Sequence, residues 1–285
     1  MVQCNMDLSQ QHTLEVNSGG RFEFGRNWAE FLKQLDEERI NDAEKSLLEM
    51  LEVPNLEGKT FVDIGSGSGL FSLAARRLGA KVHSLDYDPQ SVECTRELKR
   101  RYFPIDSNWV VESGSVLDQD YLGRLGQFDI VYSWGVLHHT GHLWQALENV
   151  IPLVKEGGKL FIGLYNDQGG PSRRWLLVKR LYCQYPILRM PLLLGSWWRL
   201  FWRGMLRDIV MLRPGETFRK LRQERRGMSI WRDLVDWVGG YPFEVSKTED
   251  VFHYYRKKGF VLTRLVTDDN LGCNQFVLLR VGKVI

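Results

Sequence analysis

Hydrophobic and polar positions change their rhythm twice along the chain. Across WAEFLKQLDEERINDAEKSLLEMLEV, residues 28–53, apolar side chains such as Trp28, Phe31, Leu32, Leu35, Leu47 and Leu51 fall three and four apart, which predicts N-terminal helices behind a polar leader. From residue 59 short apolar or β-branched runs take over: KTFVDIG, KVHSLD, NWVVESG, FDIVYSW and GKLFIGLYN. Such runs read as strands buried on both faces, with helices between them near 70–79, 89–101, 119–125 and 142–154. The alternation predicts an α/β fold, a doubly wound parallel sheet with right-handed crossovers. GFVLTRLVTD and CNQFVLLRVG break it, because they sit too close together for a crossover helix and so predict an antiparallel pair at the sheet edge.

The division that follows is an N-terminal helical segment over 1–58, an α/β core over 59–166, a helical insertion over 167–247 opening on the loop-like DQGGP, and a C-terminal helix and hairpin over 248–285. With 285 residues, 44% hydrophobic and a net charge of +3, a globular enzyme is the default, built on one large core or on a domain with an elaborate cap. Cys4, Cys94, Cys183 and Cys273 lack paired ligand spacing, which argues against a disulfide framework or a zinc site. MVQCNMDLSQQHT has neither a basic nor an apolar leader region, and no apolar run reaches spanning length, so a cytoplasmic location is expected.

Candidate chemistry begins at VDIGSGSGLF, residues 62–71. A strand, a glycine-rich turn and a helix bring backbone N–H groups and a helix N-terminus to a ligand at the carboxyl end of a sheet. The dinucleotide fingerprint fails, since the sixth position from Gly65 is Leu70, and a phosphate loop of the Walker type fails because no Lys-Ser or Lys-Thr follows. Asp86 ends the next strand about twenty residues on, where an acid accepts both hydroxyls of a ribose. Ser115 and Val116 follow the third strand, and Trp134 ends the fourth.

In that order these motifs resemble the class I S-adenosylmethionine (SAM) dependent methyltransferases. DIGSGSG, residues 63–69, resembles the first motif, Asp86 the ribose acid, Ser115 and Val116 the adenine contact, and LVKEGGKLFIG the turn into the fifth strand. The resemblance covers roughly 28–165 and 248–282. It implies a seven-stranded sheet of Rossmann-like type whose last strand is antiparallel, with SAM held by Asp63, Gly65, Ser66, Gly67, Gly69, Asp86, Tyr87, Ser115, Val116 and Trp134. NWAEF, ERIN, DIVYSWGVLHH and LYNDQGG are further similar to the ubiquinone-biosynthesis O-methyltransferase type. Where that group carries two glutamates and a histidine associated with a metal ion, this chain has Gly135, His138 and His139, so no metal is expected. An arginine that helps bind SAM there falls on Glu44.

The resemblance implies SAM-dependent methyl transfer, with O-methylation of a small phenolic or apolar metabolite as the leading reading. An acceptor in RNA or a sugar, or SAM binding without catalysis, stand as alternatives. SWGVLH occupies the place of the loop that flips and stacks a base, which disfavours a nucleic acid partner. His139 and His138, at the end of a core strand, are candidates for taking a proton from the attacking hydroxyl; helix capping or plain packing is the alternative. Tyr165, Asn166 and Tyr241 are candidate substrate contacts, with Asp236 and Glu244 beside them, and Phe24 and Trp28 are placed to close over the cofactor or to join the core. The insertion interleaves Trp175, Trp197, Trp198 and Trp202 with arginines. It reads as a lid over an apolar acceptor, as packing, or as a peripheral membrane contact through residues 173–207. The lid is expected, because Pro186, Pro191 and Gly195 should break the segment into short pieces.

Overall fold

The computed structural model describes residues 7–211, 213, 216, 230–268 and 272–282. Its seven strands are β1 (Thr60–Ile64), β2 (Lys81–Asp86), β3 (Trp109–Ser113), β4 (Phe128–Trp134), β5 (Val154–Tyr165), β6 (Phe260–Val266) and β7 (Cys273–Arg280). They form one sheet in the order β3-β2-β1-β4-β5-β7-β6. The first five are parallel, and β7 runs antiparallel to both β5 and β6.

Period-two alternation sends successive strand side chains to opposite faces, and both faces are covered. On one face Phe61, Ile130, Tyr132 and Phe161 pack with Ile40 and Leu47 of α3 (Glu37–Leu51) and with Leu73 of α4 (Leu70–Arg77). On the other, Val62, Val131, Leu160 and Ile162 pack with Leu147 and Tyr255 from α7 (Leu143–Asn149) and α11 (Thr248–Lys257). This two-faced burial is why the strand runs are continuously apolar. Asp36, Asp88 and Asp118 cap α3, α5 (Pro89–Tyr102) and α6 (Gln119–Leu125), each accepting a backbone N–H of the first turn, an interaction worth about 1 kcal/mol.

Two expectations shift. The helix expected over 142–154 ends at Asn149, whose side chain donates to Val116 O and accepts from Gln119, and the chain enters β5 already at Val154. The polar leader contains a helix, α1 (Leu8–Asn17), followed by α2 (Gly25–Phe31). Periodicity misses α1 because His12 is its one buried residue.

The cap consists of α8 (Gly170–Gln184), α9 (Arg189–Val210) and α10 (Ile230–Gly239), around Trp175, Tyr182, Leu193, Leu234, Val238 and Phe243. α9 corrects the expectation of short pieces, for it runs unbroken over 22 residues. Pro191 lies in its first turn, where no intrahelical partner for an N–H is needed, and Gly195 costs only about 1 kcal/mol. Residues 240–246 return from the cap to the sheet, where Ser246 N–H donates to Tyr165 O (3.0 Å) and Ser246 O accepts from Asp167 N–H (3.1 Å). Residues 212, 214–215 and 217–229 of the expected insertion, and the side chain of Arg203, lie outside the described residues.

Candidate active site

Beyond β1 the chain turns through Gly65, Gly67 and Gly69, all left-handed at φ +80°, +55° and +80°. A Cβ on Gly65 would stand 2.4 Å from the Val136 side chain, and one on Gly67 3.0 Å from Trp28 Nε1. Conformation and neighbours both exclude side chains there. Beneath the turn, Asp63 accepts from Ser72 Oγ (2.5 Å), Ser72 from Ser84 Oγ (2.7 Å) and Ser84 from Trp109 Nε1 (2.9 Å). Burial pushes the Asp63 carboxyl up to about 7 against the pull of Ser72. At the end of β2, Asp86 accepts the N–H groups of Gly67 (2.8 Å) and Asp88 (2.9 Å), and burial raises it to about 7 in spite of them.

The neighbouring half of the site forms where β4 and β5 end. His138 and His139 are buried with ring centroids 4.5 Å apart, and the Tyr165 ring lies 4.0 Å from His138 and 5.5 Å from His139. His139 Nδ1 stands 2.6 Å from Pro242 O. A carbonyl only accepts, so Nδ1 carries the proton and Nε2 keeps its lone pair. His138 is the opposite tautomer: its Nδ1 accepts from Tyr165 N–H (3.3 Å), leaving an N–H at Nε2 that is buried without a hydrogen-bond partner among the described residues. Burial holds His138 well below the usual histidine range and His139 at about 3, with the Lys179 charge adding to both. Both rings are neutral at pH 7.

The cap places a cation and an acid above this pair. Lys179 is wholly buried and donates to Trp237 O, with its Nζ 4.3 Å from the Trp237 ring centroid, 4.8 Å from Phe243 and 5.8 Å from Tyr165. These ring faces stabilise the ammonium. Burial nevertheless lowers Lys179 to about 7, with Asp236 acting in the other direction. Asp236, raised to about 7 by burial, accepts from the Asn27 side chain.

An N-terminal strap joins the two halves. On the β2 side, Glu15 accepts from Tyr87 Oη (3.0 Å), Gly25 N–H donates to Asp88 (2.7 Å), and His12 lies 3.6 Å from Asp88. On the β4 side, Arg21 pairs with Glu15 (2.6 Å) and donates to His139 O (3.0 Å), while Phe22 N–H donates to Tyr241 O (2.8 Å). Phe24 lies 4.8 Å from the His139 ring.

The residues expected at the site therefore fall into groups. Asp63, Gly65, Ser66, Gly67, Gly69, Asp86 and Tyr87 gather around the glycine turn, with Ser66 bonded to Thr95 Oγ1 (2.9 Å). His138, His139, Tyr165 and, through the strap, Tyr241 gather at the other half. The others have these neighbours. Val116 turns into the core, Ser115 Oγ accepts from Leu117 N–H in its own turn, and Trp134 packs on Gly163. Asn166 is bonded to Asp268 O and Gly272 O at the β6–β7 connection, and Glu44 pairs with Arg77. Sequence reasoning missed Val136, Arg21 and the burial of Lys179. A lone lysine in an arginine-rich, leucine-rich helix gives no sign that it faces inward.

Residues 62–160 match the methyltransferase domain family. The chain is 30% identical over 171 residues to ribosomal protein L11 methyltransferase of Helicobacter hepaticus, covering 55% of this chain and 51% of that one. It is 31% identical over 112 residues to ubiquinone biosynthesis O-methyltransferase of Xanthomonas oryzae pv. oryzae, covering 39% and 45%. The chain thus spans about half the length of these curated relatives or less. In fold it is similar to magnesium protoporphyrin IX methyltransferase of Synechocystis PCC 6803 with bound SAH, with a TM-score of 0.56 at 15% identity over 94% of this chain and 99% of that one.

Proposed function

We propose that this chain, whose residues 62–160 match the methyltransferase domain family, is a class I SAM-dependent methyltransferase that methylates an oxygen of a small phenolic or apolar acceptor. SAM supplies an electrophilic methyl group. The residues fit it: a glycine turn that admits no Cβ and, one strand away, Asp86, whose carboxylate suits a ribose. The acceptor half would hold the nucleophile. A single observation carries this reading, the close approach of Val136 to Gly65, which brings the segment leading into the histidine pair against the glycine turn.

His139 Nε2 would receive the hydroxyl hydrogen bond and aim an oxygen lone pair at the methyl, while the Nε2–H of His138 would donate to the acceptor. A base held at about 3 does not ionise a phenol in the resting state. It does take the proton once the oxygen has bonded to carbon, because a protonated ether is a far stronger acid than an imidazolium. Positioning supplies most of the acceleration in such a reaction. The aromatic surround of Tyr165, Trp237 and Phe243 favours an apolar acceptor body, and the cap that buries it favours a small molecule over an extended polypeptide.

The test offers SAM with a series of catechols and hydroxybenzoates and, separately, with ribosomal protein L11, reading SAH release and product mass. Methyl ethers formed by the wild type and lost in His139→Ala are expected. Methylation of the ribosomal protein with none of any phenol would refute the acceptor class.

A further inference from the structure

α9 has two apolar faces, and the fold uses one. Leu193, Ser196, Phe201 and Asp208 point inward and are buried. Trp198, Leu206 and Ile209 share the opposite side, with Leu194 and Val210 at its two margins, and all five are exposed. Trp198 is 61% exposed and Val210 77% exposed. Large apolar side chains left in water along a helix of 22 residues, about 33 Å long, mark a contact surface.

Charge identifies what it meets. Between residues 173 and 211 seven arginines and one lysine stand against a single acid, Asp208, and that acid is buried. Arg199 and Arg207 lie exposed beside the apolar stripe. A second copy of the chain fits poorly, because a two-fold contact would press this basic face against itself while the single acid of residues 173–211 is buried. Single-stranded nucleic acid wants stacking platforms, whereas the stripe is mostly aliphatic. Among the described residues no helix is long and apolar enough to cross a membrane.

We propose that the outward face of α9 docks on an anionic lipid bilayer, the helix lying in the interfacial plane with Trp198 and its aliphatic neighbours at the headgroup–acyl boundary and Arg199 and Arg207 on lipid phosphates. The proposal does not rest on the methyl-transfer reading, and its test reads binding alone. The full chain is sedimented with vesicles of phosphatidylcholine, or of phosphatidylcholine with phosphatidylglycerol, at low and high salt. Co-sedimentation with the phosphatidylglycerol vesicles, reversed by salt, is expected. Trp198→Asp should weaken it by about tenfold or more, and Arg199→Gln or Arg207→Gln by about fivefold each, with melting temperatures unchanged because all three positions are exposed. Absent sedimentation, or sedimentation unaltered in Trp198→Asp, overturns the proposal. So does a dimer that Trp198→Asp dissociates, or oligonucleotide binding, when vesicles are not bound.

Discussion

On the β1–β2 side of the candidate site backbone groups hold the polar atoms in place: Asp86 takes the N–H of Gly67 and of Asp88, and the turn itself is fixed by three left-handed glycines. On the β4–β5 side the work falls to side chains and to carbonyls delivered by the cap, with His139 set by Pro242 O and Lys179 lodged among Tyr165, Trp237 and Phe243. The first half depends on one short stretch of chain and its neighbour. The second exists only when residues 134–139, 165, 179 and 236–243 are assembled. On the proposed assignment, the backbone-built half would hold the cofactor and the side-chain-built half the acceptor.

The largest effect should come from Gly65→Ala. A side chain there meets Val136 and an adverse φ together, for about 1–2 kcal/mol from conformation and about 1–3 kcal/mol from overpacking. Denaturant unfolding should show the sum, and adding Val136→Ala should recover the overpacking part alone. Full stability in Gly65→Ala would break the description of this half as fixed by backbone. Next in size is a pH effect on cofactor affinity. A carboxyl raised to about 7 at Asp86 must ionise to accept both ribose hydroxyls, so SAM affinity should improve as pH rises through 7, by up to about tenfold per unit below it. A flat calorimetric profile from pH 5.5 to 8, taken as roughly the range around that value, would contradict this.

Linkage acts on stability with opposite signs in different pH ranges. Asp63, Asp86 and Asp236 keep protons up to about 7 that the unfolded chain releases near 4, so stability falls as pH rises between those values. Lys179 releases its proton near 7 when folded but near 10 when unfolded, so its contribution rises with pH above 7. Lys179→Met should abolish that upper rise and change stability at pH 7 by only about 1 kcal/mol, since an apolar chain of similar length removes the cost of burying a charge. A loss of several kcal/mol in urea unfolding would instead make Lys179 a keystone of the acceptor half.

The same contrast explains what the chain discloses before folding. The sheet, its edge pair and the glycine turn with Asp86 are legible because they rest on local patterns: unbroken apolar runs, glycines where φ is positive, an acid at a strand end. Val136, Lys179 and the strap are not. Val136 matters through a contact with a residue 71 positions away, Lys179 looks like its solvated arginine neighbours, and α1 is held through polar contacts of Glu15 with Tyr87 and Arg21 that leave no apolar stripe. α9 misled in the other direction, since proline breaks a helix in its interior and is harmless in its first turn.

The most direct measurement is calorimetric titration of SAH into the wild type, Asp86→Ala and His139→Ala, with SAM turnover of the last followed in parallel. The wild type should bind, Asp86→Ala should bind about 1.5 to 3 kcal/mol more weakly through loss of a charged acceptor, and His139→Ala should bind as the wild type does while turning over far more slowly. A folded Asp86→Ala chain that binds SAH as tightly as the wild type, or a wild type that does not bind it at all, would contradict the assignment of the cofactor half.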